Sequence, residues 1–188
     1  MSTMLKAGFI SAGGGGLYEA VVHRADQRGQ LDDLLGLDPR ELDMFHPLVH
    51  ALQTIAEVGD AANYGRDVTT AHVLSVGGVL DGCSVWEVVS ILGTALGLPL
   101  AHPIFHPTFG SPALEPPIVD LPVHSNLPGQ RTGVTVQLDT GHFGTVTNPN
   151  LGLSFLESFA ATGVPTIDPG PLSSDATPGC SGRFDPLR

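Results

Sequence analysis

The stretch VQLDTGHFGTVTN at residues 136–148 sets a histidine, His142, in a Gly-His-Phe corner just after a run that alternates Val with polar residues. A second stretch, GGVLDG at 77–82, sets a carboxylate, Asp81, just after a Val-rich run. A carboxylate beside an imidazole does one kind of chemistry well. It fixes the ring tautomer and stabilises the imidazolium that forms when the ring takes a proton from a nucleophile. Asp139 is the rival acid, three residues before His142, and reads better as the structural end of a strand.

Such a pair needs elements to position it. In open parallel sheets the reactive groups sit in loops beyond the carboxyl ends of the strands. Three segments read as strands: MLKAGFISA (4–12) and TAHVLSVGG (70–78), both apolar enough for burial on both faces, and GVTVQLD (133–139). Helical spacing marks LYEAVVHRA (17–25), LDDLLGL (31–37), SVWEVVSILGTALGL (84–98) and NPNLGLSFLESFAATG (148–163). DMFHPLVHALQTIAEV (43–58) adds start signals, with Asp43 or His46 at the cap and Pro47 in the first turn. The faces of Val85, Val88, Val89, Leu92 and Leu96, and of Leu48, Leu52 and Ile55, are expected to be core, although in a lid the second face could instead meet an apolar substrate. Prolines recur through 99–130, which reads as a long extended loop, and the Pro/Gly/Ser-rich 168–188 reads as a disordered tail. Strands alternating with helices give an α/β class with a parallel sheet. Three parallel strands are few, so one sheet edge is expected to lack a partner.

The pieces now resemble a family. Gly78-Val-Leu-Asp81, followed by a helix ending ALGLP (95–99), resembles the region of α/β-hydrolases that carries the triad acid, and GHF (141–143) resembles their triad-histidine loop. The closing helix, ending ATGVPTI, is similar to that of bacterial lipase-like members, and KAGFISAGGGGL (6–17) falls where the strand after the nucleophile's strand and helix belongs. The resemblance implies a partial α/β-hydrolase fold over residues 1–167: the last three parallel strands, flanking helices, and a small helical lid at 17–70. It implies Asp81 as triad acid and His142 as triad base of a serine esterase or lipase acting on an ester or lipid-like substrate. Three departures stand out. The loop between acid and base is long, a proline common after the acid is replaced by Ser84 or Val85, and no G-x-S-x-G occurs. That motif is the strained turn that exposes the serine and helps to build the oxyanion hole. The expectation is therefore acid and base without a nucleophile, inactive alone. A partner chain supplying the N-terminal half would complete it. The competing expectation is a non-enzymatic binding protein or a split-enzyme half on a degenerate hydrolase fold, and a simple truncation explains the same residues with fewer assumptions.

Composition narrows the classes further. The chain has 188 residues, 41% hydrophobic and 14% charged, with 24 Gly and 16 Pro, which suits one domain rich in turns rather than a disordered chain. A net charge of −11 disfavours nucleic acid, which selects basic patches. The first 22 residues read as strand, glycine turn and helix rather than a targeting peptide, and no run approaches the length of a membrane span. HPLVH (46–50) and HPIFH (102–106) invite a metal reading, but no further ligand falls at a convincing spacing, so no metal or cofactor is expected. The glycine run at 13–16 fails the dinucleotide register, because Tyr18 or Glu19 stands at the third glycine. Cys83, at the start of an apolar helix, reads as a small buried hydrophobe, although one bridge to Cys180 is open to it.

Overall fold

The computed structural model describes residues 5–37, 43, 45–106, 116–142 and 149–168. Strand β1 (Ala7–Ser11) leads through the glycine run into helices α1 (Leu17–His23), α2 (Ala25–Leu35) and α3 (Pro47–Ala56), then a 3-10 turn at Ala61–Asp67. Strand β2 (His72–Gly78) and helix α4 (Trp86–Ala95) follow, then two short strands, β3 (Leu100–Ala101) and β4 (Ile118–Val119). Strand β5 (Gly133–Leu138) and helix α5 (Pro149–Thr162) complete the fold.

The five strands form one parallel sheet in the order β1-β2-β5-β3-β4. The class is α/β. The three expected strands are present, shorter at their ends. The sheet is wider than three because the proline-rich 99–130 segment is more than a loop. Pro117 and Pro99 cannot donate, but their carbonyls accept from Leu100 N (2.8 Å) and Thr135 N (2.8 Å), so short strands pair where longer ones could not. β1 is one of the sheet's two outer strands, with β4 at the other edge, and all five of its residues are half-buried rather than buried on both faces as its apolar sequence suggested.

Alternation within β2 and β5 divides the core. Leu74, Val76, Val134, Val136 and Leu138 point to one face, under Leu151 and Phe155 of α5. On the other face Val85, Val88 and Val89 pack with Trp86 and Leu100, and Val73 packs with Leu98. Helix α4 lies close on the sheet because position 77 is glycine: a Cβ there would stand 2.7 Å from Val89 Cγ1. The core faces expected for α4 hold at Val85, Val88, Val89 and Leu92, with Leu96 half-buried. In α3 the inward residue is Val49, at 1% exposure, while Ile55 stands 78% exposed. The tail beyond Asp168 lies outside the described residues.

Candidate active site

Asp81 and His142 come from loops that leave neighbouring strands. The two loops stay zipped beyond the sheet: Val79 N donates to Leu138 O (2.9 Å) and Leu80 N to Thr140 O (3.1 Å). This continuation of the β2–β5 ladder carries the acid to the imidazole. Asp81 Oδ2 lies 2.9 Å from His142 Nδ1. The other oxygen, Oδ1, accepts from Cys83 N (2.7 Å) and Ser84 N (2.9 Å), a turn that also starts the chain toward α4. The Asp81 side chain is fully buried and that of His142 is 26% exposed. A buried acid held on both oxygens, beside a partly exposed ring whose Nδ1 it fixes, is the geometry of an oriented base. Asp139, the rival acid, is exposed at the end of β5.

The residues just before Asp81 in the chain, Val79 and Leu80, line with Phe105, His106 and Asp139 an open depression of about 470 Å³, whose lining includes neither Asp81 nor His142. Its far wall is held by a residue that sequence reading passed over. Gln137 is fully buried, and its Oε1 accepts from Phe105 N (2.6 Å) and His106 N (2.9 Å). Its Nε2 donates to the His106 carbonyl. The 102–106 loop is thereby pinned to β5, the strand that delivers His142. The only signal for this was a long polar side chain at an inward position of a strand.

Cys83 differs from expectation. It is half-buried and disulfide-bonded rather than a buried small hydrophobe. Cys180, the only other cysteine in the sequence, lies outside the described residues.

The glycine run after β1 would be an anion site in a nucleotide-binding protein, because a helix N-terminus gathers free amides. Here the position is filled from within. The Asp60 carboxylate, 1% exposed, accepts from Gly16 N (2.9 Å), Leu17 N (3.1 Å), Ala62 N (2.9 Å) and Gln53 Nε2 (2.9 Å). Gly16 adopts φ +67°, a left-handed turn that aims its amide at the carboxylate. Burial alone would raise the Asp60 pKa, but the hydrogen bonds from Gln53, Ala62, Leu17 and Gly16 outweigh it and hold the carboxyl below its ordinary value.

The paired histidines separate likewise. His46 caps α3, its Nδ1 accepting from Leu48 N at 3.2 Å, and His50 is exposed. His102 is exposed and His106 lines the depression. Among the described residues neither pair belongs to a cluster of metal-binding groups. No helix among them is long and apolar enough to cross a membrane.

The fold and site define an α/β protein with an oriented acid–imidazole pair at the carboxyl end of its sheet. Set against known proteins, the chain matches no family model, no curated protein and no solved structure.

Proposed function

We propose that this chain carries the acid and base of a serine ester hydrolase resembling the C-terminal part of an α/β-hydrolase, with its nucleophile supplied from outside these 188 residues. The observation that supports this reading is the contact between buried Asp81 and half-open His142 across adjacent parallel strands. In the completed site His142 Nε2 takes the serine proton, and Asp81 holds the ring and stabilises the imidazolium. The serine attacks an ester carbonyl, and water then releases the acyl-enzyme through the same imidazole. Leu80 and Phe105, 51% and 46% exposed, give the neighbouring depression an apolar wall suited to an acyl or alcohol chain.

The outer strand β1 favours completion by a further strand over a purely binding role, because its outward backbone groups are a ready template. The chain alone therefore turns over p-nitrophenyl butyrate no faster than its His142→Ala and Asp81→Ala variants. Activity that disappears with His142→Ala would place the nucleophile within the chain, and Ser84 and Ser11 would be the first serines to replace. The pair itself is read by proton NMR. A strongly downfield imidazole N–H is expected, absent from Asp81→Asn. A spectrum without it removes the acid–base assignment.

A further inference from the structure

The acid and base have a third neighbour. One donor atom each from Asp81, Cys83 and His142 all lie within 4.8 Å of one another, and this is the only such group of metal-binding side chains among the described residues. Carboxylate, thiolate and imidazole are the three donor types that zinc and its relatives accept, and a soft sulfur donor selects such ions over magnesium or calcium. The three residues are also held in place independently of any ion. The Cys83 amide is fixed on Asp81 Oδ1 at 2.7 Å, and the His142 ring is fixed on Asp81 Oδ2 at 2.9 Å. Cys83 and His142 are half-buried, so an ion can reach them from solvent.

We propose that Asp81, Cys83 and His142 form a thiol-gated binding site for a thiophilic divalent metal ion, closed while Cys83 is in its disulfide and open when that bond is reduced. A disulfide sulfur carries no charge and is a poor ligand; a thiolate is a strong one. The step balances with a dithiol reductant. The reductant gives two electrons and two protons to the S–S bond, forms its own disulfide, and leaves Cys83 and its former partner as thiols. Ion binding then releases the Cys83 proton to water. Three protein donors leave a fourth position for solvent. An ion held there engages the imidazole and carboxylate together, so oxidised chain offers an acid–base pair and reduced chain a metal centre. The inference needs only the three donors and does not rest on the hydrolase reading.

Cobalt(II) is the probe, since thiolate ligation gives a sulfur-to-metal absorption in the near ultraviolet and tetrahedral geometry gives intense visible bands. Cys180→Ser removes the only other cysteine in the sequence, so Cys83 stays a thiol without any reductant. This variant is expected to bind one cobalt ion per chain with both signatures. Wild type is expected to do so only after treatment with a phosphine reductant. Adding Asp81→Asn or His142→Ala to Cys180→Ser is expected to weaken binding at least about tenfold, and Cys83→Ser to abolish the sulfur band. Three results overturn the proposal. One is no cobalt signature in either Cys180→Ser or reduced wild type. Another is an affinity indifferent to Asp81 and His142, which makes Cys83 a solitary thiol. The third is equal binding by oxidised wild type, which removes the gate. Should Cys180→Ser misfold, the phosphine-treated wild type decides the same question.

Discussion

The sheet and the helical segment between β1 and β2 solve the burial problem in opposite ways. In the sheet, every residue of β5 and all but the first of β2 are buried, and the apolar ones fill two continuous cores. In the segment from Leu17 to Asp67, Glu19, Arg28, Asp32 and Asp60 are buried at 0–4% exposure while Leu34, Phe45, Ile55 and Val58 stand 76–82% exposed. The buried charges are matched locally. His23 Nε2 lies 3.0 Å from Glu19, Arg28 Nε lies 3.8 Å from Asp32, and burial beside Glu19 pushes the Tyr18 phenol up to about 12. The sheet is organised by apolar area, which is non-directional and tolerant of small shifts. The segment has only a small apolar cluster around Val22 and Val49, and adds to it directional contacts gathered on one carboxylate, Asp60. An apolar frame can hold the Asp81–His142 pair in one place. The segment instead leaves several large hydrophobes exposed while it buries charge.

That contrast can be broken at graded strength. Phe155→Ala removes the largest α5 side chain in the sheet core, fully buried. It should lower unfolding free energy by about 3–5 kcal/mol, read from the urea midpoint. Asp60→Ala leaves the amides of Gly16, Leu17 and Ala62 and the Gln53 side chain without their acceptor. A loss of roughly 3 kcal/mol is expected, with hydrogen-exchange protection falling first around α1 and α3. If protection falls evenly across the sheet instead, the two regions are one cooperative unit. Gly77→Ala forces its new methyl group on Val89 and should lose about 1–3 kcal/mol. Ile55→Ala and Val58→Ala, on the exposed side, should change stability by about 0.5 kcal/mol or less. A larger loss there would mean that the outward face is covered in solution.

Acid separates the two regions as well. His72 in β2 has its pKa lowered by burial and by the Arg131 charge, and its Nδ1 accepts from Thr132 N at 2.9 Å, which requires that nitrogen to be unprotonated. A depressed folded value means stabilisation that is complete above the unfolded pKa, near about 6.5, and lost as pH falls through the folded one. Asp60 follows the same sign at lower pH, its contribution present above about 3.9 and lost as pH falls through its depressed value. The urea midpoint of wild type should therefore drop between about pH 7 and pH 5, and His72→Gln should flatten that drop. Asp60→Ala should leave it intact and remove the loss seen near about pH 3.

What the sequence by itself determined follows local pattern. Val-rich runs gave β2 and β5, helical spacing gave α4 and α5, and Pro47 after His46 gave the start of α3. Asp81 and His142 were legible because each follows a strand, and the backbone hydrogen-bonding of neighbouring strands continues into the loops that carry them. Other features depended on contacts between residues far apart in the chain. No local signal in the 99–130 segment distinguishes a loop from two-residue strands, since their pairing uses proline carbonyls of one stretch against amides of another. Gln137 became a clamp only because the 102–106 loop passes over it, and Asp60 became a cap only because α3 returns it to the glycine turn. Cys83 became part of a three-donor cluster only once β2 and β5 lay side by side. Periodicity records which way a side chain faces relative to its own strand or helix; what it meets there is set by closing the chain over long separations, which only the tertiary structure decides.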